Sequence, residues 1–167
     1  MPPLSNIIEA PLRLLGEYKV DCVIVGGVAA AIHGSMILTN DLDVCYAREQ
    51  PNLKRLAAAL QSVHARLRNV PEGLPFILDA ETLHRGLNFT FTTDIGDVDL
   101  LGEVQGVGHF EDVHADSVEV SLFGFSFALI DIRKLIAAKR AAGRPKDLIA
   151  IPELEAIQEA QAVKKRE

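Results

Sequence analysis

The residues with the most evident chemistry lie in TNDLDV, residues 39–44, where Asp41 and Asp43 alternate with Leu42 and Val44. Residues two apart in a strand face the same side. A strand over 42–46 therefore projects both carboxylates together from its start and turns Leu42 and Val44 to the core. Two carboxylates ~4 Å apart repel by about 1 kcal/mol in water and about 4 kcal/mol at a protein-like dielectric. Something positive should offset this. Magnesium suits the geometry, because it takes hard oxygen ligands and often shares them with substrate phosphates. A third carboxylate would make a site for two ions, which clamp the attacking and leaving oxygens of a phosphoryl displacement. The segment DVDLL, residues 97–101, offers one. Asp97 and Asp99 share a face there; Asp99, flanked by Val98 and Leu100, is the expected ligand and Asp97 the alternate.

Gly26 and Gly27 fit the same chemistry. They follow the apolar run CVIV and precede the small residues VAAAI. Glycine lets the backbone approach a phosphate closely, and a following helix start offers free N–H groups. A tight strand-to-helix turn would use the same pair. No Gly-Lys-Ser/Thr follows, so this is not a P-loop, and the G-x-G-x-x-G spacing of dinucleotide sites is absent.

These residues need a scaffold, and the chain can build one. Its 167 residues, 49% of them apolar, suit one domain over 1–167 with a real core, the core over about 20–130 and a helical segment over about 131–167. A net charge of -6 argues against a general nucleic-acid coat protein without excluding a local basic patch. Cys22 and Cys45 lie in apolar runs and, with no secretory signal, read as reduced core residues of a cytoplasmic protein. Nothing approaches the ~20 apolar residues of a membrane span.

The patterning predicts a helix capped by Ser5 and running to about Tyr18, with Pro11 inside it, then a strand over 21–25. A short helix over 28–33 ends at Gly34. Pro51 begins an amphipathic helix to about Leu67. Residues 69–75 read as loop, 76–78 as a short strand, 80–85 as a helical turn, and 87–92 and 97–101 as strands. Residues 118–122 and 125–129 form a hairpin about Gly124. Asp131 caps a helix through Ala142, Gly143 ends it, and two further helical segments start at Pro145 and Pro152. The expected fold class is α/β or α+β, a sheet flanked by helices with a mostly helical C-terminal end.

The combination GGVAAAIHG…TNDLDV resembles the nucleotidyltransferase superfamily of the DNA polymerase β type, and within it the minimal branch that includes AbiEii-type toxins of abortive-infection systems. The residues carrying this are Gly26, Gly27, His33, Gly34, Thr39, Asp41 and Asp43, with Lys139, Arg144, Lys146 and Asp147 in a late motif. Two departures stand out. Ile37 occupies a position where many relatives have arginine, and residues 148–151 are apolar where further acidic residues are common. Both leave the three carboxylates intact and bear on the phosphate or acceptor contacts.

The resemblance implies a nucleotidyltransferase fold with a mixed sheet and a magnesium-dependent reaction using two ions. Asp41, Asp43 and Asp99 would be the metal and catalytic residues. A nucleoside triphosphate would lie against Gly26 and Gly27, with Thr39, Lys139 and Arg144 as further nucleotide contacts. A hydroxyl of RNA, protein or a small molecule would accept the nucleoside monophosphate. An antitoxin protein is an expected partner if the chain is a toxin. The alternative is a catalytically weak nucleotide- or partner-binding domain of the same fold. A homodimer through the terminal helices is open. His33 reads as structural, Asp147 as capping or orienting, and the remaining histidines show no zinc-ligand spacing.

Overall fold

Leu42, Val44, Val98 and Leu100 are all 2% exposed or less, while the aspartates that alternate with them are only partly buried. Each such apolar side chain stabilises the folded state by roughly 1.5–3 kcal/mol on burial. Their period of two therefore fixes which face of each strand is core and which carries the carboxylates.

The computed structural model describes residues 6–167. The expected Ser5 cap lies outside the described residues. In chain order the elements are α1 (Asn6–Glu17), β1 (Cys22–Val25), α2 (Gly26–His33), β2 (Asp41–Tyr46), α3 (Gln50–Ser62), β3 (Arg66–Leu67), α4 (Ala80–Arg85), β4 (Asn88–Thr93), β5 (Gly96–Leu101), β6 (Glu103–Val104), β7 (Gly108–His109), α5 (Phe110–His114), β8 (Val118–Leu122), β9 (Phe125–Leu129), α6 (Ile132–Ala142) and α7 (Pro145–Arg166). Seven strands form one sheet in the order β3-β4-β5-β2-β1-β9-β8, and β6 with β7 makes a separate two-stranded ribbon. Pairing is mixed: β1–β9 and β2–β5 are parallel, the other sheet pairs antiparallel. This is the expected α/β class with a helical C-terminal end.

Helix α1 packs on β2, β5 and β9, α2 lies against β1 and β2 and touches α6, and α7 packs on α6. The caps of α6 are as expected: Asp131 accepts from the Arg133 N–H at 3.0 Å, and Gly143 closes the helix in the left-handed region. Both cysteines are free and buried. Among the described residues, no helix is long and apolar enough to cross a membrane.

Four expectations are corrected. The helix from Pro51 starts at Gln50 and stops at Ser62 instead of reaching Leu67. His64 adopts φ 52°, and Arg66 and Leu67 turn into β3 against Thr92 and Phe91. Leu67 suits a helical face and a strand equally, and the open edge of β4 decides between them. Residues 76–78 form no strand. They are held by packing, with the Phe76 ring 6.5 Å from Phe89 and 6.0 Å from Phe91. The two expected C-terminal segments are one helix, α7, running through Pro152. Proline loses one helical bond and crowds the turn before it, but Ala150 and Leu154 on either side are buried, and that packing outweighs the local preference. Finally, Gly26 and Gly27 are the first residues of α2 itself, not a turn preceding it.

Candidate active site

The parallel register of β2 and β5 sets Asp41 beside Asp97 and Asp43 beside Asp99. Asp41, Asp43 and Asp99 each offer one carboxylate oxygen, and the three oxygens lie within 4.8 Å of one another. Asp97, the alternate, sits one step outside this group. Its carboxylate meets Arg68 Nη1 at 2.9 Å, and Arg68 Nη2 donates to Asp99 Oδ1.

Arg68 was not foreseen. It follows β3, its backbone N–H bonds Thr90 O at 2.9 Å, and its side chain is 20% exposed. Thr90 pairs with Asp99 across β4 and β5, so the short edge strand delivers a guanidinium to the carboxylate face. No local pattern marks Arg68; its position depends on pairing between segments more than twenty residues apart.

The carboxylates are under electrostatic load. Burial, and then the charges of Asp99 and Asp41, push Asp43 up to about 8, with Lys139 opposing. Burial also raises Asp99, against the pull of Arg68. Both carboxyls of this adjacent pair are thus held above their ordinary value, Asp43 the more strongly. A group whose pKa is higher folded than unfolded favours folding at low pH and loses that contribution as pH rises. The metal-free protein is therefore expected to lose stability between about pH 4 and pH 8 through Asp43, from its ordinary 3.8 to its raised value of about 8. Thermal unfolding across that range checks this: added magnesium should raise the midpoint more at pH 8 than at pH 5, and Asp43→Asn should flatten the metal-free slope.

The glycines meet the carboxylates directly. Gly26 has φ +66°, and a Cβ there would overlap Asp43 Oδ2 and lie 2.8 Å from Asp43 Cγ. A Cβ on Gly27 would lie 2.7 Å from Thr39 Oγ1. Thr39 in turn donates to the backbone carbonyl of Asp41 at 3.3 Å. The start of α2 and the start of β2 are thus interlocked at contact distance. Only a residue without a side chain leaves Asp43 its place beside the first turn of the helix, where N–H groups lack helical partners.

Lys139 and Arg144 converge on Asp147, which is 1% exposed. Lys139 Nζ lies 3.4 Å from its carboxylate, and Arg144 Nε donates at 2.6 Å. Burial works to raise Asp147, yet Arg144 and Lys139 hold its carboxyl below the ordinary value. Asp147 therefore orients two cations, in keeping with the orienting role expected for it. Both cations line two cavities that share Asp43 as a wall. The larger, about 350 Å³, also borders Gly26, Leu101 and Glu103. The smaller, about 110 Å³, borders Gly27, Ile37, Thr39 and Lys146. Ile37 brings no charge to the smaller cavity, whereas Lys146 faces the same space. His33 is structural: its Nε2 pairs with the Ile130 carbonyl at 2.8 Å and its Nδ1 with Gln161.

The three carboxylates fit a hard divalent cation. They supply oxygen donors only, and they crowd one another, so a cation between them would offset the repulsion that raises Asp43.

No protein-family model and no curated protein sequence matches the chain. Solved structures do. The lincosamide antibiotic adenylyltransferase LnuA, in its lincomycin-bound crystal structure, superposes with a TM-score of 0.60 at 12% identity, over 92% of this chain and 98% of that one. The solution structure of the antibiotic-resistance factor ANT(2'')-Ia gives 0.56 at 12% identity, over 96% and 91%. Its complex with adenylyl-2''-tobramycin gives 0.55 at 12%, over 95% and 97%. At this level of identity the likeness establishes the architecture, and the chain has the nucleotidyltransferase fold.

Proposed function

We propose that the protein is a magnesium-dependent nucleotidyltransferase that moves a nucleoside monophosphate from a nucleoside triphosphate to a hydroxyl acceptor. The observation that carries this is the clustering of Asp41, Asp43 and Asp99 within 4.8 Å on adjacent strands, against the first turn of α2. The fold shared with two adenylyltransferases supports it, as does the late cationic motif facing the same carboxylates.

Asp41 and Asp43 would hold magnesium, and Asp99 would complete a second position. Bound there, the metal would neutralise phosphate charge and fix the triphosphate. The chain's own groups do the rest. Backbone N–H groups at Gly26 and Gly27 take phosphate oxygens, Thr39 keeps the Asp41 backbone in place, and Lys139 and Arg144 face the triphosphate from the cavity wall. Asp99 draws the proton from the acceptor hydroxyl, whose oxygen attacks the α-phosphorus in line as pyrophosphate leaves. Positioning and preorganised charge supply most of the rate. Arg68 steers Asp99 from behind and balances Asp97.

The setting proposed is cytoplasmic, consistent with two free buried cysteines. The AbiEii-like motif supports a growth-controlling toxin held by an antitoxin as one biological use of this chemistry. Calorimetry with each of the four triphosphates tests the site. Binding should need magnesium and vanish in Asp41→Ala/Asp43→Ala. Failure of a folded sample to bind any triphosphate would favour a partner-binding domain instead.

A further inference from the structure

Resting on the nucleotidyl-transfer reading, we infer that Arg68 is a positioning residue for the metal site. Its guanidinium holds one oxygen of Asp99 so that the other stays turned to Asp41 and Asp43, and Asp97 serves as its countercharge instead of as a ligand. The edge of the sheet makes this reach possible. Leu67 packs against the core, and strand alternation turns Arg68 to the opposite face. The Arg68 N–H bonds Thr90 O at 2.9 Å, which holds that register. Thr90 pairs with Asp99 and Thr92 with Asp97, and directly paired residues share a face. Two short threonine side chains therefore lie between β3 and the aspartates, and the Arg68 side chain crosses β4 over them.

Asp99 is thereby held from both sides. Its strand, β5, lies between β4 and β2. Arg68 Nη2 donates to Asp99 Oδ1 from the β4 side, and Asp43 pairs with Asp99 on the β2 side. With Oδ1 engaged, Oδ2 is the oxygen left for a cation shared with Asp41 and Asp43. Among the described residues, Arg68 is the one cation in ion-pair contact with these neighbouring aspartates, since Lys139 and Arg144 pair with Asp147.

Charge decides whether such a neighbour helps a metal or opposes it. A lone guanidinium beside Asp99 would repel a divalent ion. Asp97 removes that objection: its Oδ2 meets Arg68 Nη1 at 2.9 Å, and the pair is net neutral. What remains is geometry. The guanidinium is a planar fork with fixed donors, and here one arm is spent on each aspartate. Partners that hold a ligand in place in this way typically carry about 10–100-fold in metal affinity. The same arrangement explains why Asp97 stands apart. It shares the face of Asp99 and the register of Asp41, yet it is absent from the three-carboxylate group and faces Arg68 instead. An arginine that merely tied down the sheet edge would have no use for a second aspartate and no effect on metal.

The test is Mn2+ binding to the full chain, read from the electron paramagnetic resonance signal of the free ion, with thermal unfolding in chelator alongside. The parent should bind Mn2+ and Asp41→Ala/Asp43→Ala should not. Arg68→Gln should weaken binding about tenfold to a hundredfold. Arg68→Lys keeps the charge without the fork and should stay at least about fivefold weaker than the parent. Asp97→Asn should weaken binding in the parent but by less than about twofold in the Arg68→Gln background, because the countercharge has no task once the arginine is gone. Equal losses in both backgrounds would make Asp97 a ligand and overturn the inference. Mn2+ affinity within about twofold of the parent in Arg68→Gln would overturn it as well. If chelator melting shows that Arg68→Gln does not fold, Arg68→Lys decides in its place, and parental affinity there overturns the inference. In each of these failures Mn2+ binding that depends on Asp41 and Asp43 persists. A folded parent that binds no Mn2+, with or without ATP, is a different result, and it removes the transferase reading together with this inference.

Discussion

Asp43→Asn is expected to lower nucleotidyl transfer by about a hundredfold to a thousandfold, the usual effect of removing one preorganised electrostatic group. The metal-free protein should remain as stable as the parent, or become more stable at pH 8. The two effects have one cause. Asp43 is a buried carboxyl pushed up to about 8 by its own burial and by Asp99 and Asp41. The amide keeps the shape but not the charge, so it holds a divalent cation far more weakly than a carboxylate does. A structural aspartate would behave oppositely, since its loss would cost stability. Initial rates under saturating triphosphate, paired with thermal unfolding in chelator, separate the two. Full activity in the variant, or a clear loss of metal-free stability, would contradict the role given to Asp43.

Gly26→Ala should destabilise the protein by roughly 1–3 kcal/mol and abolish magnesium-dependent triphosphate binding. A residue with a side chain in the left-handed region carries about 1–2 kcal/mol of strain by itself, and Gly26 has φ +66°. The added Cβ also overlaps the Asp43 carboxylate, so the side chain must rotate away from Asp41 and Asp99. Gly124→Ala is the control. Gly124 has φ +84° in the β8–β9 turn, and nothing lies within 4 Å of its virtual Cβ. It should show the backbone cost in urea unfolding and keep triphosphate binding. If the two variants behaved alike in binding, the close approach of Gly26 to Asp43 would have no functional meaning.

Much of the frame was legible locally. The D-x-D alternation placed Asp41 and Asp43 on one face because strand period is a property of a few consecutive residues; it put Asp97 and Asp99 on one face too, and Asp99 was preferred for its apolar neighbours Val98 and Leu100. The β8–β9 hairpin about Gly124 and the Asp131 and Gly143 caps of α6 also rest on neighbours in sequence. What escaped depends on distant segments. Arg66 and Leu67 join the sheet only because β4 leaves an edge open, and Arg68 reaches Asp97 and Asp99 as a consequence. The interlock of Gly27 with Thr39, and of Lys139 and Arg144 with buried Asp147, likewise requires α2, α6 and α7 in place. Pro152 reads as a break, yet α7 continues because Leu154 is fully buried. The ribbon of β6 and β7 joins two-residue strands, with β7 beginning four residues beyond the end of β6, too short a pattern for periodicity to detect.

The most direct measurement follows the label. The protein is incubated with magnesium and cell extract, once with ATP labelled at the α-phosphate and once with ATP labelled at the γ-phosphate. Nucleotidyl transfer predicts that the α-label appears on an acceptor, that the γ-label is released as pyrophosphate, and that both events stop in Asp41→Ala/Asp43→Ala. Transfer of the γ-label to an acceptor, or no acceptor labelling in either arm above the double variant, would contradict the assignment of this carboxylate site to nucleotidyl transfer.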